Sequence, residues 1–185
     1  MPARASARLS NRNLRALACV LFLVIGASLS ARADYLIAHV VAVHDGDTIS
    51  VRIGGPAGVA YAGRIQRVRL NGIDAPELAQ PFGKESGDLL RAAVLDKDII
   101  LLSSKIDRYG RIVAKVICHG VDENELQLKA GAAWFYRQYQ RDLSPGDRIG
   151  YAAAELDAHN AHRGLWSNES PEAPWTFRRN KKASP

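Results

Sequence analysis

Three stretches of this 185-residue chain alternate apolar and polar residues with a period of two: TISVRI (48–53), RIQRVRL (64–70) and RIVAKVI (111–117). That period places Ile49, Val51 and Ile53 on one face of a strand and Thr48, Ser50 and Arg52 on the other. It likewise sets Val68 and Leu70 opposite Arg67 and Arg69. YLIAHVVAV (35–43) and DIILL (98–102) are apolar and rich in β-branched residues, which makes five short strands. Asp-Gly between the first two marks a hairpin, and GGPAG (54–58) is a loop. Leu89, Leu90, Ala93 and Val94 form a core-facing stripe on a helix over 84–95, and Leu126 and Ala130 sit on a shorter one over 123–131. Ser144-Pro145, with Asp147 in the first turn, opens a third helix that Gly164 should close. The expected fold is a small closed five-stranded β-barrel packed with three α-helices.

The two ends are to be read separately. Arg4, Arg8, Arg12 and Arg15 precede an apolar run from Ala16 to Leu29, and Ala31-Arg32-Ala33 resembles a cleavage site. Residues 1–33 are therefore expected to be a signal peptide, cleaved near Ala33/Asp34, and the protein to be secreted or periplasmic. An uncleaved anchor is the alternative. Residues 34–167 form the expected domain, and residues 168–185 a basic, Pro-containing tail expected to be loose. The formal charge of +6 reflects 25 Lys and Arg against 19 Asp and Glu. Five of those arginines and no acids lie in 1–33, and Arg178, Arg179, Lys181 and Lys182 close the chain, so residues 34–177 net −3. Affinity for a polyanion has to come from local clusters or a metal ion. Cys19 lies in the apolar run, which leaves Cys118 without an intrachain partner in the mature chain; it reads as a small buried hydrophobe.

RVRLNGIDAPE (67–77) gathers both signs of charge where a strand ends. Asp74 and Glu77 in a turn, with Asp45 and Asp47 in another, suit a hard cation that takes oxygen ligands. Arg69 and Arg111 present paired donors that match phosphate oxygens. A cation, guanidinium clamps and a carboxylate base together form a phosphodiester site.

DGDT (45–48), RLNGIDAPE (69–77) and DRYGR (107–111), in that order, resemble the signature segments of the staphylococcal-nuclease-like (thermonuclease) family. GAAWFYRQY (131–139) and RGLW (163–166) resemble its later segments, so the likeness covers roughly residues 36–167. It implies a five-stranded OB-fold-type barrel with three helices and Ca²⁺-dependent hydrolysis of DNA and RNA, with 3′-phosphate products. Carried over by motif, Asp47, Asp74 and the Ala75 carbonyl would ligate Ca²⁺, with Asp45 supporting from behind. Glu77 would be the general base, Arg69 and Arg111 would grip the phosphate, and Tyr109 and Tyr139 would lie beside the bound nucleotide. A single-stranded substrate and a monomer are expected. Residue 75 is Ala where the best-studied member has Thr, the connection LAQPFGKES is shorter than in that member and lacks its lysine-rich loop, and Arg137 stands at a position resembling a nucleotide-contacting Tyr.

Other readings stay open. Glu155, His159 and His162 are spaced as three ligands on one helix face, but no zinc motif supports them. Trp134, Phe135 and Tyr136 read as core and rim packing, and Trp166 as a plug for the barrel's base. A non-catalytic nucleic-acid-binding module of the same fold, or a phosphodiesterase acting on another substrate, would share the phosphate clamp.

Overall fold

The structure, a computed structural model, describes residues 35–54 and 62–183. The expected signal segment and most of the 54–58 loop lie outside them. Strands β1 (Tyr35–Val43), β2 (Thr48–Ile53), β3 (Ile65–Leu70), β5 (Asp98–Ile106) and β6 (Ile112–Cys118) make one sheet in the order β3-β2-β1-β5-β6. The sheet closes on itself where β3 pairs in parallel with β6, Val68 opposite Ile112 and Leu70 opposite Ala114. Closure removes both sheet edges and fixes which side chains point inward. The five-stranded barrel is therefore present. A two-residue strand β7 (Val121–Asp122) extends β6, and β4 (Ile73–Asp74) pairs with β8 (Trp134–Phe135).

Alternation works as expected on β3, where Val68 and Leu70 are buried and Arg67 is exposed. It breaks on β2, where Thr48 and Ser50 are buried along with Ile49, Val51 and Ile53, and only Arg52 is exposed. The extra burial has polar causes: the Thr48 hydroxyl donates to Asp47 Oδ1 at 2.9 Å, and Ser50 Oγ and His44 Nε2 are hydrogen-bonded at 2.7 Å. Cys118 is buried, and that burial pushes its thiol up.

Helix α1 (Gly83–Val94) sends Leu90 and Val94 into the barrel core. Helix α2 (Glu123–Lys129) is capped by Asp122, whose side chain accepts from the Asn124 and Glu125 amides. Helix α3 (Pro145–Asn160) starts as the sequence indicates, with Ser144 capping the Asp147 amide and Pro145 at the first position. It stops before Gly164, however. Ala161 caps it, His162 takes a left-handed φ of 52°, and Gly164 opens a 3₁₀ turn, Gly164–Ser167. The glycine is needed there for contact: a Cβ on Gly164 would lie 2.3 Å from the Gly131 carbonyl oxygen.

Trp166, expected to plug the barrel's base, instead joins Ala158 and Leu165 in a separate cluster with Phe82 and Trp134. The stretch expected to be loose contains a fourth helix, α4 (Pro174–Ala183). Pro174 is buried, and Trp175 stacks on Tyr136 at 5.3 Å and meets Trp134 edge-on at 5.6 Å. These aromatic contacts hold a segment whose charge alone suggests a solvated tail.

Glu123 is buried, and its Oε2 has no hydrogen-bond partner among the described residues. Burial, resisted by Lys97 and aided by Asp122, pushes its carboxyl from 4.5 up to about 6. The fold thus holds this proton more tightly than the unfolded chain does. Stability is lost as pH rises from about 4.5 through about 6. Glu123→Gln is expected to melt above the parent at pH 7.5 and together with it near pH 4, as followed by circular dichroism.

Candidate active site

Turns at one end of the barrel carry the acids. In the β1–β2 turn, Asp45 Oδ1 accepts the Asp47 amide at 3.0 Å, which folds His44–Asp47 back on itself. Gly46 sits at the apex against α1, where a Cβ would meet Ser86 Oγ at 1.7 Å. Its carbonyl accepts from Gln127 Nε2 of α2 at 2.6 Å. The second turn, Asn71-Gly72, is held from the same helix: Asn124 Nδ2 donates to the Asn71 carbonyl at 2.8 Å. Buried amides of α2 therefore fix both acidic turns to one support.

The turns meet at Arg69. Its Nη2 donates to Asp74 Oδ1 at 2.6 Å, and Nη1 lies 2.6 Å from Asp47 Oδ2, an ion pair without hydrogen-bond alignment. Asp47 Oδ2 also accepts the Ala75 amide at 2.6 Å. Glu77 follows on the same segment; its amide donates to Gln80 Oε1, and its carbonyl accepts the Gln80 amide, both at 2.8 Å. From the β5–β6 turn, Arg111 Nε donates to Asp107 Oδ2 at 2.8 Å, and its Nη atoms have no protein partner among the described residues. Tyr109 and Tyr139 are largely exposed, the former 5.4 Å below the Arg111 guanidinium.

Asp45, Asp47, Arg69, Asp74, Ala75, Glu77, Tyr109, Arg111 and Tyr139 all line one cleft of about 940 Å³. Every site residue expected from the sequence is thus in one place. Arg137 is not among them: its Nη2 pairs with Glu155 Oε2 at 2.6 Å, and Tyr136 lines the cleft instead. The same contact disposes of the helical zinc alternative. Glu155 spends its other oxygen on the Phe135 amide at 2.8 Å, and the His159 ring packs edge-on against Trp166 at 5.1 Å.

One member of the site was missed. Arg178 of α4 donates through Nη2 to Asp74 Oδ2 at 2.7 Å, and through Nη1 to Glu77 Oε1 at 2.8 Å and Asp74 Oδ1 at 3.2 Å. Its own charge is held all the more firmly for it. Nothing local in the sequence announces this contact, which spans 104 residues. The only available signal was a Trp and two Arg on one helical stretch in a Pro-rich tail.

The electrostatic balance of the corner is negative. Asp45, Asp47, Asp74 and Glu77 face the guanidiniums of Arg69 and Arg178, four carboxylates against two. Burial, and then the Asp47 charge beside it, pushes Asp45 up to about 7. Burial also raises Asp74, against the pull of Arg178 and Arg69. An oxygen-only donor set in which carboxylates outnumber guanidiniums fits a hard divalent cation. Among the described residues, no three His, Cys, Asp or Glu side chains are already grouped as ligands, because the acids here close on guanidiniums. The corner thus holds positive charge as the guanidiniums of Arg69 and Arg178, while Arg111 is tied to Asp107 through Nε alone.

Residues 67–168 match the family described as staphylococcal nuclease homologue. The chain is 40% identical over 116 residues to the probable staphylococcal-like nuclease CAN1 of Oryza sativa subsp. japonica, covering 63% of this chain and 33% of that protein. The staphylococcal-like nuclease CAN1 of Arabidopsis thaliana gives the same identity, with 34% of its length covered. The chain thus spans about a third of these plant relatives. A protein of Escherichia coli described as an uncharacterized endonuclease is 38% identical over 145 residues, 77% of this chain and 85% of that one. The family segment includes the Asp74–Glu77 turn, the Arg111 strand and the Gly131–Gly164 contact, and by that match the chain belongs to the staphylococcal nuclease homologue family.

Proposed function

We propose that the chain is a calcium-dependent nuclease that hydrolyses phosphodiester bonds of DNA and RNA. We further propose that it acts as a monomer outside the cytoplasm after residues 1–33 are removed. The observation that carries this reading is the convergence of Asp47, Asp74, Glu77, Arg69 and Arg111 on one cleft. The names of the relatives, nuclease and endonuclease, support it.

In this reading Asp47, Asp74 and the Ala75 carbonyl hold the ion, and Asp45 keeps the turn that carries Asp47 in shape. Calcium, when bound, supplies positive charge against the phosphate oxygen on which negative charge accumulates. Arg111 offers its two free Nη atoms to the scissile phosphate, a fork that matches two phosphate oxygens. Arg69 adds a second guanidinium once its acids are neutralised. Glu77 takes a proton from the attacking water, whose oxygen bonds to phosphorus while the bond from phosphorus to the 5′-oxygen breaks. That oxygen leaves with a proton from solvent beside Arg111, and the phosphate stays on the 3′ side. Tyr109 and Tyr139 flank the nucleotide. Arg178 donates to Glu77 Oε1, so the proton goes to Oε2, or to Oε1 once Arg178 lets go.

The purified protein is expected to cleave single-stranded DNA and RNA with Ca²⁺ and to stop in a chelator. Glu77→Gln keeps the acceptor oxygen used by Arg178 and is expected to cost at least ~10²-fold in kcat with an unchanged melting curve. A folded protein inactive with every divalent ion would refute the nuclease reading and leave a binding module.

Arg178 and the ion draw on the same acids, so they compete. Arg178→Ala is expected to tighten Ca²⁺ binding by about tenfold in calorimetry, equivalent to ~1.4 kcal/mol and within the usual range for a hydrogen bond to a charged group. The same variant is expected to melt lower than the parent in chelator, because it leaves Asp74 with Arg69 alone.

A further inference from the structure

Helix α4 lies beyond the family segment, which ends at residue 168, yet it forms part of the cleft through Trp175, Arg178, Arg179 and Lys182. Arg178 is committed to the acids. Arg179 and Lys182 are exposed, and neither has a protein partner among the described residues. Lys105, Arg108 and Arg111 from β5 and the β5–β6 turn line the same cleft. Lys105 is already paired with Asp142, and Arg108 donates to the Tyr109 hydroxyl at 2.7 Å. The cleft therefore combines the acids of the corner, one basic set partly engaged with its own neighbours, and a second basic set on α4 with two unengaged cations. Residues 34–177 net −3, so cations outside that span contribute much of what can draw a polyanion to this protein.

We propose that α4 is a binding wall for single-stranded nucleic acid, with Arg179 and Lys182 receiving backbone phosphates next to the one at the acid corner. This rests on the nuclease reading above and adds to it which part of the chain carries the strand. The single strand follows from the aromatic lining. Tyr109 and Tyr139 line the cleft and are exposed, and bases can stack on such rings only when they are not already paired in a duplex. The helix is suited to hold such a load because Trp175, wedged between Trp134 and Tyr136, and the Asn180 Nδ2 bond to Glu172 Oε1 at 2.9 Å fasten it.

The test is fluorescence anisotropy of a labelled single-stranded DNA oligonucleotide, in chelator so that no cleavage occurs, over a series of salt concentrations. Arg179→Gln/Lys182→Gln is to be compared with the parent and with Lys84→Gln/Lys129→Gln, a pair of exposed cations outside the cleft. The wall variant is expected to bind at least about fivefold more weakly at low salt. Its log–log salt slope should be shallower by about 1.4, the value for two phosphate contacts on a single strand. The control pair should stay near the parent. An unchanged affinity and slope in the wall variant would overturn the proposal, as would an equal loss in the control pair, which would indicate net charge alone. An equal loss on a duplex of the same length would overturn the single-strand assignment. No binding by the parent at any salt would also overturn the proposal, whereas the nuclease reading stands or falls separately on cleavage with Ca²⁺.

Discussion

The site depends on one guanidinium placed between two turns. Arg69 stands on β3 in register with Thr48 of β2, which brings it beside Asp47 and within reach of Asp74 on the short strand that follows. A one-residue slip of that pairing would send Arg69 into the barrel and Val68 or Leu70 out to the cleft. Register is held from both sides, by the antiparallel β2 pairing and by the parallel closure onto β6, where Arg69 faces Val113. Barrel closure and charge placement are the same constraint.

What keeps the acids at that guanidinium is mostly uncharged. Asn124 and Gln127 are fully buried amides on one short helix, and each reaches a backbone carbonyl of a different site turn. Asn124 Oδ1 also takes the Val116 amide at 3.0 Å, which ties the same helix to β6. Buried amides satisfied in this way are specific about geometry, because any displaced turn would leave a polar group unpaired in the core. The polar residues of α2 thus act on the cleft without lining it.

Much of this was legible. Period-two alternation located β2 with its observed ends and β3 and β6 to within a residue, apolar β-branched runs located β1 with its observed ends and the first half of β5, and the Ser144-Pro145 signal located the start of α3. The charged motifs and the family resemblance they carry together named nine residues that share one cleft. What escaped was long-range. The role of Gln127 comes from a partner 81 positions away, and Arg178 acts across 104. Neither has a local signature, since a glutamine on a helix and an arginine in a charged tail look like solvated residues. The loose reading of 168–185 failed for a related reason. Trp175 finds its ring partners at Trp134 and Tyr136, about forty residues earlier in the chain. Composition describes what a segment can do alone, and this one is not alone. Gly164 shows the converse error, a glycine read as a helix stop that is instead required by the touching backbone of Gly131.

The lateness of Arg178 in the sequence has a consequence for how the molecule is made. Chains emerge from the ribosome with the N-terminal end first, so Asp74 exists for 104 residues of synthesis before the second of its two guanidiniums does. Strands β1 to β6 and the two buried amides are all in hand by residue 127. A barrel that closed before α4 was made would hold a carboxylate neutralised by Arg69 alone. In that order of events α4 would seat on an acid corner already in place, with Arg178 completing the pairing of Asp74.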